Sequence, residues 1–204
     1  MIEQKKYGSD FYDSEYFLDG TKSNYGGDFF DWGKKGDVFI EHAKQIVDLF
    51  KPKRVLDIGC ALGFMVQGFA ENGVEAHGID ISEWAIKHAK PNCQCVDICV
   101  QKLPFEDNYF DLITCFDVLE HIPTQFHEFV FSEINRVCHG TLYISQPFLV
   151  MPEQVYGNKP EDDESHVALM PPYYYTLSFA KFGFELREMI PTANPWDLRL
   201  VFSK

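Results

Sequence analysis

Short apolar runs alternate with amphipathic stretches along most of the chain. Between Asp37 and Phe50, apolar residues recur every three or four positions, which predicts an amphipathic helix. From Arg54 onward, short apolar runs bounded by turn residues alternate with helical patterns, as expected of strands separated by helices. The predicted strands span 54–58, 75–79, 93–98, 110–116, 141–145, 184–190 and 197–202, and the predicted helices span 37–50, 62–72, 82–90, 124–137 and 173–182.

This alternation predicts an α/β fold, a Rossmann-like, seven-stranded and mostly parallel sheet with helices on both faces. In such sheets, ligands bind outside the carboxyl ends of the strands, where the strand order reverses. The turns after Ile58, Ile79, Val96 and Phe116 are therefore expected to surround one crevice.

Length, charge and cysteine usage limit the classes of function that the chain can have. With 204 residues the chain is of single-domain size. Its net charge of −13 argues against nucleic acid as a partner, because phosphates are bound by Lys and Arg. No apolar stretch has the length of a membrane span, and the first residues show no signal-peptide core. Several of the six cysteines lie in apolar runs, which favours free thiols in a reducing cytoplasm. A monomer or homodimer is expected.

The turn after the first predicted strand contains Gly59 and Gly63, which allow the backbone to approach a ligand closely. A nicotinamide enzyme would show the pattern G-x-G-x-x-G here, whereas this chain has Ala61 and Phe64 at the later glycine positions. Asp57 precedes the turn by two residues. Its carboxylate would repel a pyrophosphate but would attract an ammonium or sulfonium group.

Two further acids follow predicted strands. Asp80 ends the second strand, where a carboxylate can accept hydrogen bonds from both hydroxyls of an adenosine ribose. Ser82 is a competing cap for the following helix. Asp97 ends the third strand and is either a turn residue or an acceptor for an adenine amino group. Because Asp80 faces a crevice, its replacement is expected to reduce cofactor affinity and leave the fold intact.

Together these segments resemble the class I S-adenosylmethionine-dependent methyltransferases, in particular the small-molecule subgroup around the ubiquinone-biosynthesis enzymes. The matching segments are Val55–Gly63, Gly78–Ser82, Val96–Asp97, Leu103–Ile113, Asp117–Ile122, Glu133–Val137, Leu142–Ser145, His166–Val167 and Gly183–Phe184. The resemblance covers roughly residues 53–190. It departs at Ala61, where the family more often has glycine, and at a shortened turn around Gly140. It implies that the last strand is antiparallel.

The resemblance implies a cofactor site for S-adenosylmethionine. Gly59, Cys60, Ala61 and Gly63 belong to its first motif, and residues 59–61 would lie along the methionine part of the cofactor. Asp57 would face the ammonium group, and the backbone carbonyl of Phe116 would lie near the amino-acid end.

The same resemblance indicates which residues would bind the adenosine part of the cofactor. Asp80 would hold the ribose and Ile81 would contact the adenine, while Asp97 and Ile98 would bracket the adenine edge and face. Among the aromatic residues that crowd the N-terminal segment, Tyr25 is the one expected to face the cofactor, because it stands beside two glycines.

A second group of polar residues follows the fourth predicted strand. Asp117, Glu120 and His121 are spaced so that a helical turn would put them on one face, and His166 follows later. His121 or His166 could act as the base for a hydroxyl acceptor. The alternatives are hydrogen bonding between neighbouring elements, or a divalent ion as in a few related families; no metal is predicted.

The resemblance implies transfer of a methyl group from S-adenosylmethionine to a small-molecule acceptor, at oxygen or nitrogen. Residues 1–52 would form an aromatic N-terminal lid and helical segment, and residues 53–204 the cofactor-binding methyltransferase domain, with 146–172 as a second part of the lid. The alternatives are a non-catalytic S-adenosylmethionine-binding partner subunit and a nicotinamide-dependent oxidoreductase.

Overall fold

The computed structural model describes residues 8–18, 22, 36–148, 164–192 and 197–204. The helices are α1 (Ser14–Leu18), α2 (Gly36–Phe50), α3 (Phe64–Glu71), α4 (Glu83–His88), α5 (Thr124–Val137) and α6 (Pro172–Ala180), with a 3₁₀ turn at Leu119–His121. The strands are β1 (Arg54–Ile58), β2 (Glu75–Asp80), β3 (Cys93–Cys95), β4 (Phe110–Phe116), β5 (Cys138–Pro147), β6 (Glu185–Pro191) and β7 (Asp197–Ser203).

The strands form a seven-stranded sheet in the order β3-β2-β1-β4-β5-β7-β6. β1 pairs with β2, β2 with β3 and β4 with β5 in parallel, whereas β7 is antiparallel to both β5 and β6. The predicted mostly parallel sheet with an antiparallel last strand is therefore confirmed. Within the described helices, none combines the length and apolar character needed to cross a bilayer.

The chain divides into two compact units, residues 1–101 and 102–204. In the first unit, α2 packs closely on α3 because Gly68 has no side chain. A Cβ atom at Gly68 would lie 2.7 Å from the Cβ of Ala43 and 3.0 Å from the Cα of Ile40. This contact supports the helix that follows the glycine-containing turn after β1.

In the second unit, Arg136 of α5 joins the loop before β4 to its own helix. Its guanidinium donates to both carboxylate oxygens of Glu133, at 2.9 and 2.7 Å, and to the backbone carbonyls of Leu103 and Phe105, each at 2.8 Å. The Leu103 N–H also donates to Glu133, at 2.8 Å. The Arg136 guanidinium, the strongest cause, and the Leu103 N–H together hold the pKa of Glu133 below its ordinary value.

Two strands differ from their predicted bounds by three residues, and one turn was not predicted. β3 ends at Cys95 rather than near residue 98, because the Asp97 side chain accepts the Cys99 N–H at 3.0 Å and turns the chain. β5 runs from Cys138 to Pro147 and is longer than predicted, since it pairs with β7 along Thr141–Pro147. The 3₁₀ turn at Leu119–His121 was not predicted as an element.

His127 makes the stability of the protein dependent on pH. It is buried, its Nε2–H donates to the Ile122 carbonyl at 2.7 Å, and its Nδ1 accepts the Tyr174 hydroxyl at 3.0 Å. Burial lowers its pKa below the ordinary value of 6.5. In the unfolded chain His127 takes up a proton near that value, whereas in the folded chain it takes up the proton only at a lower pH. Its contribution is therefore complete above about pH 6.5 and is lost as the pH falls below it.

We expect the free energy of unfolding to fall between pH 7 and pH 5 by up to about 1.4 kcal/mol per pH unit from this one group. Denaturant unfolding of the parent and His127→Gln across this range measures it. The variant is expected to be less stable at pH 7 and to show a shallower slope, because the other histidines contribute equally to both proteins. Parallel curves for the two proteins would contradict the assignment.

Candidate functional site

The turn after β1 has a backbone conformation that glycine favours. Gly59 has φ 75°, Ala61 has φ 46° and Gly63 has φ 74°, all in the left-handed region that L side chains rarely adopt. At Gly63, a Cβ would also lie 2.7 Å from the Cys93 Sγ. Ala61 is tolerated because its methyl group is small, whereas glycine would adopt this conformation with less strain.

The same turn is hydrogen-bonded to the end of β2. The N–H groups of Gly59 and Cys60 both donate to the Ile79 carbonyl, at 2.8 and 3.0 Å, and the Gly63 N–H donates to the Cys60 carbonyl at 2.7 Å. Ile58 and Ile79 are partners in the parallel β1–β2 register. The two strand ends therefore present the turn and Asp80 side by side, as the sequence predicted.

Asp80 joins two segments of the first unit. Its Oδ2 accepts the Ala61 N–H and its Oδ1 accepts the Ser82 N–H, both at 2.8 Å. Each carboxylate oxygen can accept a second hydrogen bond, so the orientation that these amides impose is compatible with a ribose. Asp80 also stabilises the turn, however. The sequence did not predict this hydrogen bond, and the expectation that the fold survives the replacement of Asp80 stays a prediction.

Ser82 caps the N-terminus of α4, as the sequence analysis considered for this residue. Its Oγ accepts the Ala85 N–H at 2.9 Å and donates to the Tyr12 carbonyl at 2.5 Å. The cap therefore ties the N-terminal segment to the helix that follows Asp80.

The other predicted cofactor residues of the first unit lie on the same strands and turns. Asp57 is buried in β1, Ile98 is buried in the turn after β3, and Ile81 is half-buried after β2. Asp97 stands two residues beyond the end of β3, and its carboxylate is a turn acceptor. Their roles toward a cofactor stay predictions.

Gly78 is a residue whose structural role sequence reasoning did not assign. A Cβ there would lie 2.7 Å from the Cys60 Sγ and 2.8 Å from the Cys60 Cβ. The missing side chain therefore makes room for Cys60, which is buried over β2. A glycine inside a predicted strand is the signal that could have shown this close approach.

Aromatic residues of the N-terminal segment pack beside the glycine turn. Tyr12, Tyr16 and Phe17 form a buried cluster with Leu62 and Ala85. The Phe17 ring stacks on Trp84 with centroids 5.5 Å apart. The described part of the segment therefore covers the first unit near Ala61. Tyr25 lies outside the described residues.

The second unit carries the remaining predicted residues. Phe116 is the last residue of β4, and the following Asp117 has φ 54°. His121 ends the 3₁₀ turn, where its Nδ1 lies 3.1 Å from the Ser165 carbonyl and its Nε2 lies 4.0 Å from a Glu120 carboxylate oxygen. Since a carbonyl only accepts, Nδ1 carries the hydrogen, and in the neutral ring Nε2 carries the lone pair.

His166 stands beside His121, with ring centroids 4.8 Å apart. The Ala168 N–H donates to the Glu120 carbonyl at 2.9 Å, which holds the His166 segment against the 3₁₀ turn. Within the described residues, donor atoms of Glu120, His121 and His166 all lie within 4.8 Å of one another. One carboxylate and two imidazoles form a donor set that suits a divalent transition metal. The structure thus brings together Glu120, His121 and His166, whereas Asp117, the fourth residue of the ion hypothesis, is not in this group.

Comparisons with known proteins agree with this architecture. The family model described as a methyltransferase domain matches residues 37–189. A ubiquinone biosynthesis O-methyltransferase of Coxiella burnetii is 29% identical over 188 residues, covering 79% of this chain and 77% of that protein. A ubiquinone biosynthesis O-methyltransferase of Alkalilimnicola ehrlichii is 32% identical over 92 residues, covering 41% of this chain and 37% of that protein.

Solved structures share the fold. A SAM-dependent methyltransferase from Archaeoglobus fulgidus has a TM-score of 0.67 at 20% identity, covering 86% of this chain and 99% of that one. Magnesium protoporphyrin IX methyltransferase from Synechocystis with bound SAH has a TM-score of 0.58 at 20% identity, covering 84% and 82%. Since the family model spans most of the chain, from α2 into β6, the chain belongs to the methyltransferase-domain family and is a class I S-adenosylmethionine-dependent methyltransferase.

Proposed function

We propose that the protein transfers the methyl group to a hydroxyl oxygen of a small-molecule acceptor, with His121 as the base. The observation that carries this proposal is the hydrogen bond from His121 Nδ1 to the Ser165 carbonyl. With the hydrogen on Nδ1, the neutral ring carries its basic lone pair on Nε2. The names of the relatives from Coxiella burnetii and Alkalilimnicola ehrlichii, both O-methyltransferases, support oxygen as the acceptor atom.

The first unit would hold the cofactor. Gly59, Ala61 and Gly63 present backbone with little side chain. Asp80 is oriented by the Ala61 and Ser82 N–H groups. The buried Asp57 would stabilise positive charge, because a carboxylate removed from water attracts a nearby cation strongly. When bound, S-adenosylmethionine supplies a methyl group already activated by a sulfonium.

The chain's own contribution to the reaction would be positioning and proton removal. As the acceptor oxygen takes the methyl group, its hydroxyl proton would move to Nε2 of His121. The bond from Nδ1 to Ser165 fixes the ring, and a carboxylate oxygen of Glu120 stands 4.0 Å from Nε2. His166 lies against the same ring and is the second candidate for this role.

A labelled-methyl assay with a panel of phenols, catechols, alcohols and amines tests the acceptor class. Methyl transfer is expected to hydroxylated compounds, with S-adenosylhomocysteine formed in equal amount. Turnover of amines alone would contradict oxygen as the acceptor atom. Binding of S-adenosylhomocysteine with no turnover of any compound would favour a partner subunit that binds the cofactor without catalysis.

His121→Asn tests the base. Asparagine can keep the donation to Ser165 but has no counterpart of Nε2, so turnover with a hydroxylated acceptor is expected to fall by about 10²–10⁴-fold. Affinity for S-adenosylhomocysteine is expected to stay at the parent value, because His121 is not among the predicted cofactor residues.

Two measurements distinguish a catalytic base at His121 from a metal ligand and from a purely structural residue. A base is expected to leave turnover insensitive to chelation, whereas loss of activity in EDTA and its recovery with a divalent ion would show that Glu120, His121 and His166 act as metal ligands. Unchanged turnover in His121→Asn would show a structural role only.

The location and assembly of the protein are part of the same proposal. All six cysteines are free, and four of them are buried. This usage fits a reducing compartment, and we place the protein in the cytoplasm as a monomer or homodimer. Light scattering on the purified protein measures the assembly.

A further inference from the structure

Two cysteine thiols meet at the glycine turn of the first unit. A Cβ atom at Gly63 would lie 2.7 Å from the Cys93 Sγ. A Cβ atom at Gly78 would lie 2.7 Å from the Cys60 Sγ. Gly78 and Cys93 are partners in the parallel β2–β3 register. The two missing side chains therefore leave room for the two sulfur atoms to come together.

The two thiols differ in their surroundings. Cys60 is buried and Cys93 is half-buried. A hydrogen bond with Cys93, and then burial, raise the pKa of the Cys60 thiol well above its ordinary value. Cys60 is therefore protected from direct oxidation, while Cys93 is the thiol that a soluble oxidant can reach first.

Cys95, two residues along β3, differs from Cys93. Its side chain is exposed, and its Sγ lies 3.5 Å from the Ile81 carbonyl. Because residues two apart on a strand lie on the same face of the sheet, Cys95 is a control for Cys93 that is more exposed and lacks the hydrogen bond with Cys60.

We propose that Cys60 and Cys93 form a reversible disulfide that lowers the affinity of the protein for its cofactor. The pairing itself stands on the hydrogen bond between the two thiols and on the room that Gly63 and Gly78 leave for their sulfur atoms, whereas the effect on affinity rests on the proposed placement of the cofactor at residues 59–63. Transient disulfides of this regulatory kind are the ones that occur in reducing compartments.

The chemistry balances with a small-molecule disulfide as the oxidant. The Cys93 thiolate attacks one sulfur of that disulfide, which forms a mixed disulfide and releases one thiolate. Cys60 then loses its proton to the solvent or to that thiolate and attacks the Cys93 sulfur, releasing the second thiolate. Two protein thiols are oxidised to one disulfide, and one disulfide is reduced to two thiols.

The disulfide would change the glycine turn. Bonded sulfur atoms stand about 2.05 Å apart, closer than two thiols in hydrogen-bond contact. Cys60 would be drawn toward β3, although its N–H is bonded to Ile79 and its carbonyl to Gly63. Because Ala61 and Gly63 hold left-handed conformations, the turn has little freedom to follow without disturbing the Ala61–Asp80 hydrogen bond.

The test uses the purified protein, oxidised with excess oxidised glutathione and compared with a dithiothreitol-treated sample. Peptide mass mapping without reduction is expected to show Cys60 linked to Cys93, with the loss of two hydrogens. Calorimetry with S-adenosylhomocysteine is expected to show about tenfold weaker binding in the oxidised sample, within the usual range of coupling between sites, and full recovery after reduction.

Cys93→Ser and Cys95→Ser provide the comparison. Cys95→Ser is expected to respond to oxidation like the parent, whereas reduced Cys93→Ser should bind like the reduced parent and should not change on oxidation. The proposal would be overturned if the peptide map showed only glutathione adducts or links to Cys95. It would also be overturned if the Cys60–Cys93 disulfide formed and the affinity did not change. If even the reduced parent failed to bind S-adenosylhomocysteine, the cofactor placement would be at fault, and the peptide map would still decide whether the pairing forms.

Discussion

Replacing Asp80 with alanine is expected to weaken the binding of S-adenosylhomocysteine by about ten- to a hundredfold. Its two oxygens are held in place by the Ala61 and Ser82 N–H groups, and a carboxylate oxygen can accept more than one hydrogen bond. Hydrogen bonds to a charged acceptor contribute more than those between neutral groups. Titration calorimetry measures the change.

The same substitution is expected to reduce stability. Two amide hydrogen bonds to a half-buried carboxylate are removed, so the free energy of unfolding without ligand should fall by about 1.5–3 kcal/mol. Thermal unfolding of the unliganded variant checks this second effect. Asp97→Ala is expected to lose less affinity, because its carboxylate serves the turn at Cys99.

The Ser82→Ala variant distinguishes the loss of ribose binding from the loss of local stability. It removes the cap of α4 and the bond to Tyr12, at a cost of about 1 kcal/mol, but leaves the Asp80 carboxylate in place. Its affinity is expected to stay near that of the parent. Equal affinities for Asp80→Ala and the parent would require the ribose assignment to be withdrawn.

Replacing Arg136 with alanine is expected to cause the largest loss of stability, about 3 kcal/mol. The Glu133 side chain is only 5% exposed, and it would keep the Leu103 N–H but lose the guanidinium that neutralises it. The loss lies at the low end of the range for buried ion pairs, because the Arg136 side chain is itself 23% exposed. Denaturant unfolding near pH 7 measures it.

Two comparisons sharpen this second prediction. Arg136→Lys keeps the charge but not the planar fork that reaches Glu133, Leu103 and Phe105 together, so partial loss is expected. Arg187→Ala breaks an exposed pair with Glu185, whose side chains are 53% and 71% exposed, and should change stability by at most about 1 kcal/mol. Similar losses in Arg136→Ala and Arg187→Ala would show that the buried cluster has no special contribution.

The pH dependence of this cluster follows from the lowered pKa of Glu133. A carboxylate whose pKa is lower in the folded state contributes stability above its ordinary pKa of 4.5 and loses it as the pH falls through the folded value. The stability difference between the parent and Arg136→Ala should therefore shrink in acid.

Much of the candidate site could be predicted because its parts are close in sequence. The glycine turn and the acid that ends β2 follow directly from apolar runs that stop at Gly or Asp, and parallel pairing brings such strand ends to one edge. The double role of Asp80 could not be predicted, because the Ala61 N–H belongs to a turn 19 residues earlier.

The sequence by itself determined the order of strands and helices, the glycine turn and the family to which the chain belongs, since periodicity and local motifs depend on neighbouring residues. Only the tertiary structure decided which distant groups meet. His121 is oriented by Ser165, 44 residues away, and Cys60 of the glycine turn is hydrogen-bonded to Cys93 of β3. Such contacts depend on strand register and on the close packing of separate segments, which no local pattern of hydrophobic and polar residues encodes.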